Sequence, residues 1–95
     1  MDGRDVLLGA ADYLEEHGWC RRRYQHGARR CVDRALWEVS GAQWSRGNHT
    51  AYRAATGRLD RLVGDRVSWN DNKAKNCREV VAVLRRAAEE PSSRA

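Results

Sequence analysis

The sequence predicts a mainly α, compact single domain of about four helices, with a small β-hairpin or loop between the first two. Apolar residues recur at intervals of three and four in four segments, which is the spacing of an amphipathic helix. Glycine and asparagine stand at the ends of these segments, where helix caps are expected. A chain of 95 residues supports one hydrophobic core, so we expect one helical domain over 1–90 and a mobile tail over 91–95.

The helices are expected at residues 4–17, 31–40, 49–63 and 76–89. Asp2 or Asp5 can accept hydrogen bonds from the first amides of the first helix. Gly18, Gly41 and Gly64 follow the last apolar residues of the first three helices. Glycine adopts the left-handed backbone conformation that commonly ends a helix, so each of these three positions predicts a helix end.

Residues 19–30 contain too many turn-forming residues for a helix of this length. They predict a short hairpin with Gly27 at positive φ, and an irregular arginine-rich loop is the alternative. In a hairpin that began at residue 19, side-chain alternation would place Arg21 and Arg23 on one face and Arg22 on the other. A hairpin this short is stable only when it packs against the helices.

A turn is expected before the last helix. Residues 70–72 read Asn-Asp-Asn directly after Trp69, which predicts an Asx-type turn that stops the chain and restarts it. Asn76 and Glu79 have the spacing of a capping box, in which the asparagine side chain accepts from the amide three residues on. The last helix should therefore begin immediately after Asn76.

The apolar faces of the four helices predict the hydrophobic core. Its members should include Leu7, Leu14, Val32, Leu36, Leu59, Leu62, Val80 and Leu84. Trp19 and Trp69 stand where helices meet connecting segments, and large rings in such places usually cover a small core. Trp37 and Trp44 can be either buried or exposed. An exposed tryptophan beside arginines is typical of interaction hot spots.

Positive charge is concentrated in one stretch. Residues 20–34 carry six arginines against one aspartate and so hold the whole formal net charge of +5, because the rest of the chain has equal numbers of basic and acidic residues. A focused positive patch attracts polyanions or an acidic protein face. The candidate binding residues are Arg21, Arg22, Arg23, Tyr24, Arg29, Arg30, Arg34 and Trp44.

Three functions remain open for this patch. A surface for a protein partner is favoured, and a nucleic-acid-binding surface with Tyr24 stacking on a base is the alternative. In the third interpretation the arginines only pair with nearby acidic residues such as Glu38 and Asp33, which forms a solvated face of little energetic consequence. No helix-turn-helix or other DNA-reading motif occurs. The sequence thus predicts a non-catalytic interaction protein.

The cysteines raise the question of a metal site or a disulfide. Cys20, His26 and Cys31, with Cys77 or His17, could supply four zinc ligands, but no close pair of cysteines is present to form half of the site in advance. An odd number of cysteines without a secretion signal favours reduced thiols. We therefore expect no disulfide, no metal and no cofactor.

Cysteine–histidine catalysis is the remaining enzymatic hypothesis. Cys20 with His17 or His26, and Cys77 with His49, are the nominal pairs, and such pairs arise by chance in a short chain. Position N1 of a helix, where Cys77 is expected, tends to lower a thiol pKa. No phosphate-binding loop or zincin motif accompanies these residues. Catalysis is therefore not predicted.

The sequence also bears on location. Its N-terminal residues lack the uninterrupted apolar run of a signal peptide, since Asp2, Arg4, Asp5 and Asp12 break the pattern. No segment approaches the roughly 18 apolar residues of a membrane span. These features predict a cytoplasmic protein without a membrane partner, and the sequence makes no prediction of oligomeric state.

Two short motifs carry a resemblance to known proteins. They are Gly18-Trp19-Cys20 and Trp69-Asn70-Asp71, and they stand in an order that spans most of the chain, with Cys31 opening a helix between them. In this respect the sequence resembles a family of small uncharacterised proteins from actinobacterial genomes and their phages. The resemblance implies a shared fold over about residues 4–90 and a phage or mobile-element origin. It implies no activity.

Overall fold

A computed structural model describes residues 2–45 and 48–90 of the chain. The elements, in chain order, are α1 (Gly3–His17), β1 (Gln25–His26), β2 (Arg29–Arg30), α2 (Val32–Ser40), α3 (Asn48–Val63), α4 (Arg66–Ser68), a π-helical turn (Trp69–Lys73) and α5 (Cys77–Glu89). The predicted mainly α fold with a small hairpin is confirmed. The tail predicted at 91–95 lies outside the described residues.

Helix α1 is the central element, and it packs against α2, α3 and α5. Its core-facing side chains have no exposed surface; they are Val6, Leu7, Ala10, Ala11 and Leu14. These residues recur at the three-and-four spacing of one helical face, which is why a single helix can contact three others. Many of the buried side chains on all the long helices are alanines, so the helix axes can approach closely.

The predicted core is correct at seven of its eight positions, where the side chain has no exposed surface. Leu62 is the exception and is only half-buried. The buried row of α3 runs through Ala51, Ala55 and Leu59, which are four residues apart. Leu62 lies one turn further on, near the end of α3 at Val63. At this end of the helix the rest of the fold covers the Leu62 side chain only in part.

Most helix ends follow the capping predictions, but Gly18 ends α1 with φ 101° and ψ 162°, outside the left-handed conformation predicted for it. Asp2 Oδ1 accepts from the backbone N–H of Asp5 at 2.8 Å, so Asp2 is the residue that caps α1. Asn76 Oδ1 accepts from the N–H of Glu79 at 2.9 Å, as the predicted capping box requires. Gly41 ends α2 in the left-handed conformation, with φ 73° and ψ 18°.

The hairpin is shorter than predicted. It pairs only Gln25–His26 with Arg29–Arg30, and Gly27 in the turn has φ 63° as expected. Residues 21–24 form a bend, and Arg22 has a positive φ of 63°. The predicted strand alternation of the arginines is therefore wrong, because the left-handed residue interrupts the extended conformation that alternation needs.

The predicted Asx turn at 70–72 is also wrong. Helix α4 continues into the π-helical turn, which is closed by the N–H of Ala74 donating to the carbonyl oxygen of Trp69 at 2.8 Å. Asn70 is 2% exposed. Its side chain bonds to distant parts of the chain and is thus unavailable to form a local turn.

Close contact between α1 and α3 gives a testable consequence. A Cβ at Gly3 would lie 2.8 Å from Ala54 Cβ and 2.9 Å from its carbonyl carbon, whereas one at Gly57 would meet only Arg61 Nη1 at 3.8 Å. We expect Gly3→Ala to lower the free energy of unfolding by about 1–3 kcal/mol through overpacking. Gly57→Ala should raise it by about 0.5–1 kcal/mol through helix propensity. Urea denaturation measures the free energy of unfolding of both variants. A change of the same sign in the two would contradict the close contact between α1 and α3 at Gly3.

Candidate functional site

The side chain of Asn70 joins three separate segments. Its Oδ1 accepts from Trp19 Nε1 at 2.7 Å and from the backbone N–H of Val32 at 3.0 Å. Its Nδ2 donates to the carbonyl oxygen of Cys20 at 3.2 Å. The two short motifs that contain Trp19 and Asn70 are therefore in direct contact, and both are tied to the start of α2.

Further bonds fix the bend at residues 21–24 against the π-helical turn. Asp71 Oδ1 accepts from the backbone N–H of Arg22 at 2.7 Å, which holds the left-handed backbone of Arg22 in place. The guanidinium of Arg21 donates to the carbonyl oxygen of Ala74. It also lies 5.3 Å from the centre of the Trp19 ring, within the range of a cation–π contact.

Two more of the candidate arginines are bound within the chain. Arg30 Nε lies 2.6 Å from Glu38 Oε2, its side chain is only 15% exposed, and its Nη1 donates to the carbonyl oxygen of Gly27 at 2.8 Å. Arg34 Nε lies 3.3 Å from the same Glu38 oxygen. Arg30 thus attaches the hairpin to α2, and ion pairing of the kind expected for a solvated face accounts for these two residues.

The remaining candidates form an exposed basic surface. Arg22, Arg23 and Arg29 are exposed, and their side chains form no ion pair or hydrogen bond within the described residues. Tyr24 is 65% exposed beside them. Three guanidiniums and one aromatic ring of the predicted patch are therefore available to a partner.

The tryptophans have different environments. Trp69 is buried at 8% exposure, and Trp19 is half-buried against the core. Trp37 is half-buried with its ring edge-on to Tyr52, the centroids 5.2 Å apart. Trp44 is 84% exposed in the loop after α2. Trp44 is thus available for contact, but it lines neither of the clefts beside Tyr24.

Two neighbouring clefts, together called the hairpin groove, lie beside the exposed basic surface. The first has a volume of about 220 Å³, and its lining includes Arg22, Arg23, Tyr24, Asp33, Val67 and Asp71. The second has a volume of about 170 Å³ and is lined by Tyr24, Asp33, Arg34, Trp37 and Tyr52. Both clefts share Tyr24 and Asp33, so a ligand can contact the Tyr24 ring from either side.

A hydrogen-bonded network forms one wall of the hairpin groove. Tyr52 Oη donates to Asp33 Oδ1 at 2.6 Å, and Arg66 Nε donates to the same oxygen at 2.8 Å. Arg66 Nη1 bonds to Asp60 Oδ2 at 2.9 Å. Burial, together with the hydrogen bond to Asp33, raises the pKa of Tyr52 to about 12. This wall carries one formal positive charge, on Arg66, against the two carboxylates of Asp33 and Asp60.

Sequence reasoning missed several residues of the hairpin groove. The sequence patterns indicated Asp33 only as a partner of nearby arginines, and they indicated no binding role for Tyr52, Arg66 or Val67. Their proximity depends on the packing of α2, α3 and α4, which no local pattern reports. Asp71 is different, because it belongs to one of the two short motifs and could have been selected on that ground.

The three cysteines are free thiols, and burial raises the pKa of each. Cys20 Sγ bonds to the carbonyl oxygen of Arg23 and Cys77 Sγ to that of Leu14, both at 3.4 Å. Within the described residues neither thiol bonds to a histidine. The expected lowering of the Cys77 pKa is wrong, because burial and the nearby Glu15 carboxylate outweigh the helix N-terminus.

The described residues contain neither a cluster of metal ligands nor a membrane-spanning helix. Across residues 2–45 and 48–90, no three His, Cys, Asp or Glu side chains come together as a metal site. In that same part of the chain, no helix combines the length and the apolar character needed to cross a bilayer.

Comparison with known proteins gives one match. The model of a family described as "Family of unknown function (DUF6197)" matches residues 2–90. Neither a curated protein nor a solved structure matches the chain.

The hydrogen bonds of Asn70 predict a large effect of its substitution. Asn70→Leu keeps the branched shape of the side chain but leaves the Trp19 and Val32 N–H groups and the Cys20 carbonyl without their partner. We expect the free energy of unfolding to fall by about 3 kcal/mol or more, since each unsatisfied buried group costs about 1–3 kcal/mol. Asn72→Leu, at an exposed position of the same turn, is the matched control and should change stability by less than about 0.5 kcal/mol. If urea denaturation showed the same loss in free energy of unfolding for both substitutions, the central role of Asn70 would be refuted.

The buried thiols predict a pH dependence. The folded protein keeps its thiol protons at pH values where the unfolded chain loses them, because the folded pKa values are raised. This contribution to the free energy of unfolding is therefore constant at low pH and decreases as the pH rises above about 8.5, the ordinary thiol pKa.

Alkylation by iodoacetamide tests the same shift, because the thiolate is the reactive form. At neutral pH the native protein should react more slowly than the urea-unfolded chain, and its rate should increase only at higher pH. The difference in alkylation rate between the unmodified protein and Cys77→Ala gives the contribution of the least buried thiol. A native protein that reacts faster than the unfolded chain at neutral pH would contradict the raised pKa values.

Proposed function

Since the chain belongs to the family of unknown function DUF6197, we propose from the geometry of its site that it is a non-catalytic interaction protein. It binds an acidic face of a protein partner through the hairpin groove and the exposed basic surface of Arg22, Arg23 and Arg29. The single observation that carries the proposal is the joining of the unpaired guanidiniums of Arg22 and Arg23 with exposed aromatic and aliphatic side chains at one groove, with the unpaired Arg29 exposed on the adjoining hairpin.

The composition of the groove suits a protein partner. Tyr24 is 65% exposed and Val67 is 45% exposed, and both line the first cleft with Arg22 and Arg23. Arginine and tyrosine are enriched at residues that dominate binding energy, where they surround a small apolar contact. A partner side chain of modest size can enter this cleft while carboxylates around it meet the guanidiniums.

The groove is already shaped for binding. Asn70 and Asp71 hold the backbone of the bend at residues 21–24, and Arg66 holds the Asp33 carboxylate on the other side. Groups that are fixed before association lose less conformational entropy when a partner binds. The buried hydrogen bonds of the core therefore contribute to the affinity of an exposed surface.

Nucleic acid is the alternative ligand for the same arginines. Asp33 and Asp71 line the same cleft as Arg22 and Arg23. Their carboxylates repel the phosphate groups of a nucleic acid that approaches these arginines. The same carboxylates tolerate a protein partner, whose own arginine, lysine and backbone N–H groups can approach them. The mixed charge of the groove thus favours a protein over nucleic acid.

Charge reversal combined with site-specific crosslinking tests this function. Tyr24 is replaced by a photo-crosslinking phenylalanine analogue, and the protein is irradiated in the cells that encode it. We expect a discrete protein adduct that survives nuclease treatment. Reversal of Arg22, Arg23 and Arg29 to Glu should remove it, and should weaken binding to the purified partner by about 100-fold or more, at about 1 kcal/mol for each contact. Arg21 is left unchanged because its guanidinium bonds to Ala74.

The matched control reverses Lys75, Arg78 and Arg86, which are exposed basic residues outside the hairpin groove, and so makes the same change in net charge. This variant should retain the adduct. An adduct that nuclease treatment removes would show that the partner is nucleic acid and not protein. Loss of the adduct in both variants, or in neither, would refute the assignment of binding to the hairpin groove.

A further inference from the structure

A second basic cleft lies between the start of α1 and the exposed face of α3. Its volume is about 440 Å³, and its lining includes Asp2, Arg4, Arg53, Gly57, Arg58 and Arg61. It shares no lining residue with the hairpin groove. No local pattern in the sequence indicates this cleft, because its arginines are separated by up to 57 positions along the chain.

Three of the four guanidiniums are available to a ligand. Arg4, Arg53 and Arg61 are exposed, and within the described residues their side chains form no ion pair. Arg58 is committed, since its Nη1 donates to the carbonyl oxygens of Ala87, Ala88 and Glu90 at the end of α5. It still adds positive charge to the wall of the cleft.

The local charge excess arises from where the acidic residues lie. Outside residues 20–34 the formal charges balance, but many of the carboxylates are paired elsewhere. Asp12 and Glu15 bind Arg85 on α5, and Asp60 binds Arg66. In the cleft itself only Asp2 is acidic, and one of its oxygens accepts from the N–H of Asp5. The cleft therefore has four guanidiniums against one carboxylate.

The helices add to the positive potential and set the kind of ligand. Helix α1 has 15 residues and begins at the cleft, so the positive end of its dipole lies there. Arg53 and Arg61 are eight residues apart on α3, which is about 12 Å along the helix axis. That separation is too large for one phosphate group, so it suits a ligand that carries several phosphates in a row.

We propose that this α1–α3 cleft binds the phosphodiester backbone of a nucleic acid. Among the described residues no aromatic side chain lines it, and apart from the arginines and Asp2 its lining there is glycine and alanine. It thus has guanidiniums for phosphate contacts but no ring for stacking and little apolar surface for a protein. Recognition should be independent of base sequence, because phosphate contacts carry no sequence information. This inference does not depend on the protein-binding role of the hairpin groove.

Gly57 provides a direct test. A Cβ there meets no atom nearer than 3.8 Å, so longer side chains fit without disturbing the helix. Gly57→Glu introduces a carboxylate among the arginines, and Gly57→Gln introduces the same volume without charge. Binding of a short fluorescein-labelled DNA duplex by the full chain is measured by anisotropy over a range of salt concentrations, with thermal unfolding to verify the fold of each variant.

For the unmodified protein, three phosphate contacts predict a slope of log K against log salt of about −3 and a loss of affinity of about 40-fold between about 50 and about 200 mM salt. Arg53→Ala and Arg61→Ala should each make the slope about one unit less steep. Gly57→Glu should weaken binding about tenfold or more, and Gly57→Gln should bind like the unmodified protein at concentrations where both are folded.

Variants of the hairpin groove separate the two surfaces. The combined change of Arg22, Arg23 and Arg29 to Ala should leave duplex binding within about threefold, the size of a general charge effect. Three outcomes would overturn the proposal: no duplex binding by the unmodified protein at low salt, equal binding by the Gly57→Glu and Gly57→Gln variants, or loss of binding with the hairpin variants alone. The first two outcomes do not bear on whether a protein partner binds the hairpin groove, whereas the third would assign nucleic acid to that groove.

Discussion

The buried amide of Asn70 is the interaction on which the rest of the structure depends. It accepts from Trp19 and from the first amide of α2, and it donates to the carbonyl of Cys20. Asparagine offers an acceptor for two hydrogen bonds and an amide donor on one short neutral side chain, so it can bond to Trp19, Val32 and Cys20 together. A carboxylate at this position would lack the donor, and an apolar side chain would leave the buried backbone groups unpaired.

From this amide the exposed site follows in a few steps. Asn70 also donates to Asp71, and Asp71 accepts from the backbone of Arg22. The bend at residues 21–24 is therefore a continuation of the core hydrogen-bond network, even though its side chains are exposed. A buried polar network that is fully satisfied is rigid. This explains how a two-stranded hairpin, which is marginal alone, presents its arginines in a fixed arrangement.

Arginine has two distinct roles in this protein. Arg30, Arg58 and Arg66 are partly buried, and their guanidiniums bind a carboxylate or several carbonyl oxygens, where they connect elements of the fold. Other arginines are exposed and unpaired within the described residues, among them Arg22, Arg23 and Arg29 beside the hairpin groove, and Arg4, Arg53 and Arg61 in the α1–α3 cleft. The two proposed surfaces share no lining residue. One small domain could therefore hold a protein and a nucleic acid at the same time.

The sequence by itself determined the helices and most of the core, because amphipathic spacing and capping residues act over a few neighbouring positions. The caps at Asp2 and Asn76 and the burial of Leu36 and Leu84 follow from such local patterns. It also indicated the arginine-rich segment. Only the tertiary structure decided which of those arginines are free, since the Ala74 carbonyl that binds Arg21 lies 53 residues away along the chain.

The failed turn prediction at residues 70–72 has the same physical cause. Asparagine favours turns when its side chain bonds to its own backbone, but here Trp19 and Val32 compete for that side chain from distant positions. Likewise, the α1–α3 cleft exists because Arg4 and Arg61 are brought together while nearby acids are paired elsewhere. Interactions among a few neighbouring residues fix the helices. Long-range contacts decide which charges are paired and which side chains are exposed, and a linear pattern contains no information about those contacts.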